Sequence, residues 1–82
     1  MMGKKRGRWK IILDLLESIA ENGECNKTEA MRGAKLDWRN FKKYHKFLEK
    51  NNYIKITEQE NLKVTQEGKK LLKDLKKVNK KL

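Results

Sequence analysis

The stretch over residues 37–50, DWRNFKKYHKFLEK, constrains the chain more than any other. Wound as an α-helix of 3.6 residues per turn, it places Phe41, Tyr44 and Leu48 on one face, with Phe47 at the margin. At about 100° per residue, Arg39, Lys42, Lys43, Lys46 and Lys50 fall within an arc of roughly 100° on the other side. Asp37 suits the N-cap, because its carboxylate accepts from backbone N–H groups that lack a helical partner. Soluble helices ordinarily mix charge signs on their outer face. Here Glu49 alone, near the edge of the arc, interrupts the cations. One face is suited to burial and the other to an anionic partner. A helix whose lysines serve only solubility is the plainer reading of the same pattern.

Composition narrows the choice. At 82 residues the chain makes one domain, whose own core is only marginally stabilising. Hydrophobic residues are 37% and charged residues 40%, so a second copy of the chain would help by burying more surface. Lys and Arg number 22 against 11 Asp and Glu, a formal net charge of +11. Polyanions are the natural partners of that balance: DNA, RNA or an anionic membrane. A single cysteine, Cys25, excludes an internal disulfide framework and fits a reducing compartment. It reads as a small structural residue rather than a redox sensor, since nothing nearby would lower its thiol pKa. The longest uncharged run is too short to span a bilayer. The opening MMGKKRGRWK is basic, but IILDLLESIA after it carries Asp14 and Glu17, which excludes a secretory signal. The expected location is cytoplasmic, associated with the nucleoid.

Taken in order, residues 1–8 read as a flexible basic arm, in which Arg6-Gly7-Arg8 has the form of arms that enter an A·T-rich minor groove. Residues 9–21 form a helix with Trp9, Ile12, Leu13, Leu16, Ile19 and Ala20 as its apolar stripe, ended by Asn22-Gly23. Ile11 and Leu15 fall outside that stripe, a second apolar flank for the last helix or a partner subunit to cover. Asn26-Lys27-Thr28-Glu29 reads as a capping box opening a short helix over residues 27–33, which directs Ala30 and Met31 inward. Gly33-Ala34-Lys35-Leu36 then turns the chain into the cationic helix. Two short helices joined by a tight turn, the second basic outside, are the helix-turn-helix pattern. Asn51-Asn52 ends the second, since Asn tolerates left-handed geometry. Residues 53–57 and 62–64 alternate as two strands with Ile54, Ile56, Leu62 and Val64 on one face, a hairpin in the place of a wing.

Thr65 caps a last helix over residues 66–82. Leu71, Leu75, Val78 and Leu82 recur along it at spacings of four, three and four, the seam of a short coiled coil, and lysines occupy the opposite side. Leu72 lies off the seam, toward the domain core. A lysine-rich amphipathic helix also suits a membrane surface, but this stripe is narrow and holds no aromatic residue, so no membrane partner is expected. The domain organisation read from these signals is the arm over 1–8, a winged-helix domain over 9–65, and a dimerisation helix over 66–82.

The order of these pieces resembles the small archaeal winged helix-turn-helix DNA-binding proteins, most nearly the ten-kilodalton crenarchaeal chromatin proteins that dimerise through a C-terminal helix. The likeness covers residues 9–80. It is carried by ILDLLESIAENG over 12–23, by Lys27-Thr28, by Ala34-Lys35-Leu36, by Phe41-Lys42-Lys43-Tyr44 and Leu48, by Tyr53-Ile54, and by VTQEGKKLL over 64–72. The resemblance implies a winged helix of α+β, mostly helical class, with three helices, a two-stranded wing and an extended C-terminal helix. It further implies double-stranded DNA as ligand and a homodimer formed by antiparallel pairing of the last helices. Residues 38–50 would then be the major-groove helix and residues 53–65 the wing. Asn51-Asn52 departs from the glycine that relatives often carry there, and the last helix ends early.

The expected division of labour follows from side-chain chemistry. Arg39, Asn40 and Lys43 sit where base edges come within reach, Arg pairing with guanine and Asn with adenine. Lys42, Lys46 and Lys50 set register on phosphates, joined by Lys27, by Lys55 and Lys63 on the wing, and by Arg6 and Arg8. The tip of the wing carries Glu58 and Glu60, which do not suit phosphate. Trp38 lies at the edge between the two faces, either a core staple beside the helix start or a stacking surface. His45 shares that edge and reads as a surface histidine. One His and one Cys twenty residues apart make no metal-ligand set. No nucleophile is paired with a base, and neither catalysis nor a cofactor is expected. Two other classes fit less well. An RNA-binding module would want more exposed aromatics than Trp38 and Tyr53, and a protein-interaction domain would not need the charge.

Overall fold

The computed structural model describes residues 7–81 in backbone and the side chains as far as Lys77. The elements run α1 (Arg8–Glu21), α2 (Lys27–Gly33), α3 (Trp38–Lys50), β1 (Ile54–Ile56), β2 (Leu62–Val64) and α4 (Gln66–Lys81). This is the α+β, mostly helical winged helix: three helices, a two-stranded wing and a long C-terminal helix. Arg6, Leu82 and the side chain of Val78 lie outside the described residues.

Local chemistry sets nearly every boundary. Asn26 accepts from the Glu29 amide at 2.8 Å while Glu29 accepts from the Asn26 amide at 3.1 Å, a complete capping box on α2. Asp37 accepts from the Asn40 amide at 2.8 Å to start α3, and Thr65 Oγ1 accepts from the Gly68 amide at 3.0 Å to start α4. Helices α2 and α3 both end in Schellman turns. In the first, Lys35 takes φ 58°, with Lys35 N–H donating to Arg32 O and Leu36 N–H to Met31 O. In the second, Asn52 takes φ 66°, with Asn52 N–H donating to Glu49 O and Tyr53 N–H to Leu48 O. The left-handed residue of the helix-turn-helix is therefore Lys35. Gly33 is helical, and its place is explained by packing: a Cβ there would overlap the Ser18 hydroxyl, which donates to Ala30 O at 3.3 Å.

α1 is the centre of the fold. Ile12, Leu13, Leu15, Leu16 and Ile19 are all buried, so its apolar surface is wider than one stripe. α2 and α4 both pack against it, and Leu15 of the second apolar flank read from the sequence is fully buried. Phe41 and Leu48 of α3, Ile54, Leu62 and Val64 of the hairpin, and Leu72 of α4 complete the core. An exposed ion pair, Lys76 to Glu17 at 3.5 Å, crosses from α4 to α1 and adds little. β1 and β2 pair antiparallel, Ile54 opposite Val64, Lys55 opposite Lys63 and Ile56 opposite Leu62. Cys25 adds a single bridge on the other edge of β2, exchanging two backbone hydrogen bonds with Leu62 at 3.1 and 2.7 Å.

Four positions differ from the sequence reading. Arg8 is the first residue of α1 rather than the end of an arm. Trp9 is 52% exposed, because the apolar surface of α1 narrows before its first turn is covered. Ile56 faces inward by register, but β1 outruns the core there and leaves it exposed. His45, read as a surface residue, is 7% exposed and stacks on Phe41 with ring centroids 4.8 Å apart. Cys25 is buried as a structural residue. Burial first, and then the charge of Glu29, push its thiol pKa up, away from a reactive thiolate.

Candidate nucleic-acid interface

α3 presents its cations as a single outward surface. Arg39, Lys42, Lys43, Lys46 and Lys50 are all exposed, while Phe41, His45 and Leu48 hold the inner face. Among the described residues no carboxylate forms an ion pair with any of these five. Lys43 lies over the Tyr44 ring, 5.5 Å from its centroid, a contact that steers its ammonium group without neutralising it. Asn40 is exposed on the first turn, its amide engaged by the Asp37 cap and its side chain turned to solvent.

Trp38 opens the helix half-exposed, and its ring stacks on Phe41 at 5.7 Å. With Phe41 against His45, the three rings run along one side of α3 at positions i, i+3 and i+7. One face of Trp38 is thus anchored and the remainder is open. The His45 pKa is lowered by burial first, then by Lys27, Lys46 and Lys42, with Glu49 acting the other way. Its Nδ1 has no hydrogen-bond partner among the described residues.

Arg8 is brought beside the same face. It lines a cleft with Ile12, Lys43, Tyr44 and Phe47, so the start of α1 extends the cationic surface of α3. That neighbourhood is invisible in the sequence, where the two cations are 35 positions apart. Lys27, on the first turn of α2, is partly buried and sits near enough to His45 to influence its titration. On the wing, Lys55 and Lys63 are both exposed and stand directly opposite one another in the strand register. Two like charges so placed repel unless something negative lies between them.

One feature near the wing had no local signal. Glu24, in the loop after α1, accepts from Thr57 Oγ1 at 3.0 Å and from Asn61 Nδ2 at 2.9 Å, both on Oε2. These hydrogen bonds, first with Asn61 and then with Thr57, hold its carboxyl below the usual carboxylate range, and the nearby charge of Lys63 adds to them. Among the described residues no group of three His, Cys, Asp or Glu side chains is placed to hold a metal ion, and no helix is long and apolar enough to cross a membrane.

A two-stranded wing after a helix-turn-helix, with the second helix of that pair basic on its outer face, defines the class. The chain belongs to the winged helix-turn-helix family, whose model matches residues 5–82. Among individual proteins, the chain is similar to an uncharacterised protein of Methanocaldococcus jannaschii, 45% identical over 71 residues, which are 87% of this chain and 71% of that protein. A second uncharacterised protein of the same organism is 37% identical over 54 residues, 66% of this chain, and the chain spans 25% of its length. In structure the chain is similar to Sso10a-2, a DNA-binding protein from Sulfolobus solfataricus. The TM-score is 0.79 at 26% identity, over 92% of this chain and 80% of that one. These relatives are archaeal, in keeping with the resemblance to small archaeal winged-helix proteins.

Proposed function

We propose that this chain binds double-stranded DNA, seating α3 in the major groove and resting the wing on an adjacent phosphate backbone. The observation that carries the reading is the set of five exposed cations on α3 that have no carboxylate partner among the described residues, opposite a face locked into the core. The family and the DNA-binding protein it resembles in structure support the same reading. In this reading Lys42, Lys46 and Lys50 contact phosphates, Arg39, Asn40 and Lys43 approach base edges, and Arg8 reaches the backbone beside Lys43. The wing lysines Lys55 and Lys63 relieve their mutual repulsion on a phosphate. The protein acts by binding, as a homodimer through Leu71, Leu75 and Val78 of α4 together with Leu82, in transcription regulation or chromatin packing at the nucleoid.

Affinity then comes mainly from counterion release and falls steeply with salt. A gel shift comparing duplex DNA, duplex RNA and single strands at two salt concentrations tests it. Duplex DNA is expected to bind best, and preference for single strands would point to RNA. Lys42→Glu with Lys46→Glu is expected to abolish duplex binding while the far-ultraviolet circular dichroism stays that of the wild type. Wild-type affinity in that double variant would overturn the assignment of the face.

A further inference from the structure

Besides its packing in the core, the wing is held to the loop between α1 and α2 by backbone hydrogen bonds and by one side chain. On the backbone side, β2 exchanges two hydrogen bonds with Cys25. Glu24, the residue before it, extends its carboxylate to the hairpin turn 33 and 37 residues further along the chain. The turn is itself knotted around the same two residues. Thr57 N–H donates to Asn61 O at 2.8 Å, Asn61 N–H donates to Thr57 Oγ1 at 3.1 Å, and Glu60 takes φ 63° between them. A single oxygen, Glu24 Oε2, therefore gathers both ends of the turn and ties them to the loop between α1 and α2.

We propose that Glu24 is the positioning residue for the wing, fixing the angle at which Lys55 and Lys63 meet a nucleic-acid backbone. The inference rests on the DNA-binding reading and extends it to a residue whose charge opposes that binding. An exposed carboxylate beside the wing repels a polyanion, so on charge alone its removal tightens the complex. Removal of its acceptor oxygen frees the turn and takes the wing lysines out of register with the phosphates. The two effects have opposite signs, so a pair of variants can separate them.

Glu24→Gln and Glu24→Ala remove the same charge, but only Gln keeps an acceptor oxygen at the same reach. Because both donors use one oxygen, the Gln amide oxygen can replace it. Glu24→Gln is expected to bind duplex DNA at least as tightly as wild type. Glu24→Ala is expected to bind more weakly than Glu24→Gln, roughly tenfold at about 0.1 M salt for each phosphate the wing no longer reaches, with the salt slope shallower by about 0.9 per phosphate. A fold merely loosened elsewhere would leave that slope unchanged. Without DNA, amide hydrogen exchange at Thr57, Glu60 and Asn61 is expected to quicken in Glu24→Ala and stay slow in Glu24→Gln. Equal affinities and slopes for the two variants, with wild type binding normally, would overturn the positioning role alone. Failure of the wild-type chain to bind duplex DNA would overturn the DNA-binding reading beneath it.

Discussion

His45 shows how a single buried ring leaves a mark on the whole stability curve. The imidazole stacks on Phe41 with little solvent contact, and Lys27, Lys42 and Lys46 raise the cost of charging it further, Glu49 only partly offsetting them. Its folded pKa therefore lies below the value of about 6.5 of a free imidazole, and the unfolded chain takes up the proton first. The stabilising contribution of the neutral ring is complete above that value and is lost as the pH falls from there toward the folded pKa. Thermal unfolding is expected to show a lower midpoint at pH 5.5 than at pH 7.5. His45→Phe keeps the stack and removes the titration, so its difference between the two pH values should be smaller. A wild-type slope in the variant would place the effect on other groups. A 3.6-residue repeat puts His45 at the edge of the apolar face, and it could not show that Trp38 and Phe41 build a stack for the ring to join.

At the level of elements, the joint between α4 and the hairpin is closely packed. Thr65 caps α4, donates its hydroxyl to Asn52 O at 2.6 Å and its amide to Tyr53 O at 3.0 Å. Gly68, one turn later, sits so close that a Cβ would overlap the Tyr53 carbonyl and crowd the Val64 side chain. Gly68→Ala is expected to cost about 1–3 kcal/mol in chemical denaturation, because backbone rather than a flexible side chain must yield. Gly7→Ala, where a Cβ meets nothing within 4 Å and only the N-cap preference of α1 is lost, serves as the control and should cost less, about 0.5 kcal/mol. Equal effects from both would deny the joint its tightness. The boundaries of these elements were legible in the sequence because Asn26, Asp37, Asn52 and Thr65 act on groups within a few residues of themselves. The cationic arc of α3 was legible for the same reason. The Glu24 clasp and the approach of Arg8 to Lys43 were not, since each joins residues more than thirty positions apart that no periodicity relates.

For the whole molecule, the seam of α4 is the surface that the proposed homodimer would use. Leu71 and Leu75 are only partly buried, although both touch the core, and the helix continues beyond them. A small domain gains from covering such a seam with a second copy. Leu75→Asp with Val78→Asp is expected to yield monomers by light scattering while helical content is retained, and to halve the salt slope of DNA binding because one protomer then grips the duplex in place of two. An unchanged mass would move the interface elsewhere. The two Schellman turns bear on the molecule's reach in a different way. They close on main-chain carbonyls at residues 31 and 32 and at residues 48 and 49, so these joints do not draw on the cations of α3 that point away from the domain. Its outer residues are free to be exchanged wholesale, and the same scaffold becomes a grip to which differently addressed heads can be fitted.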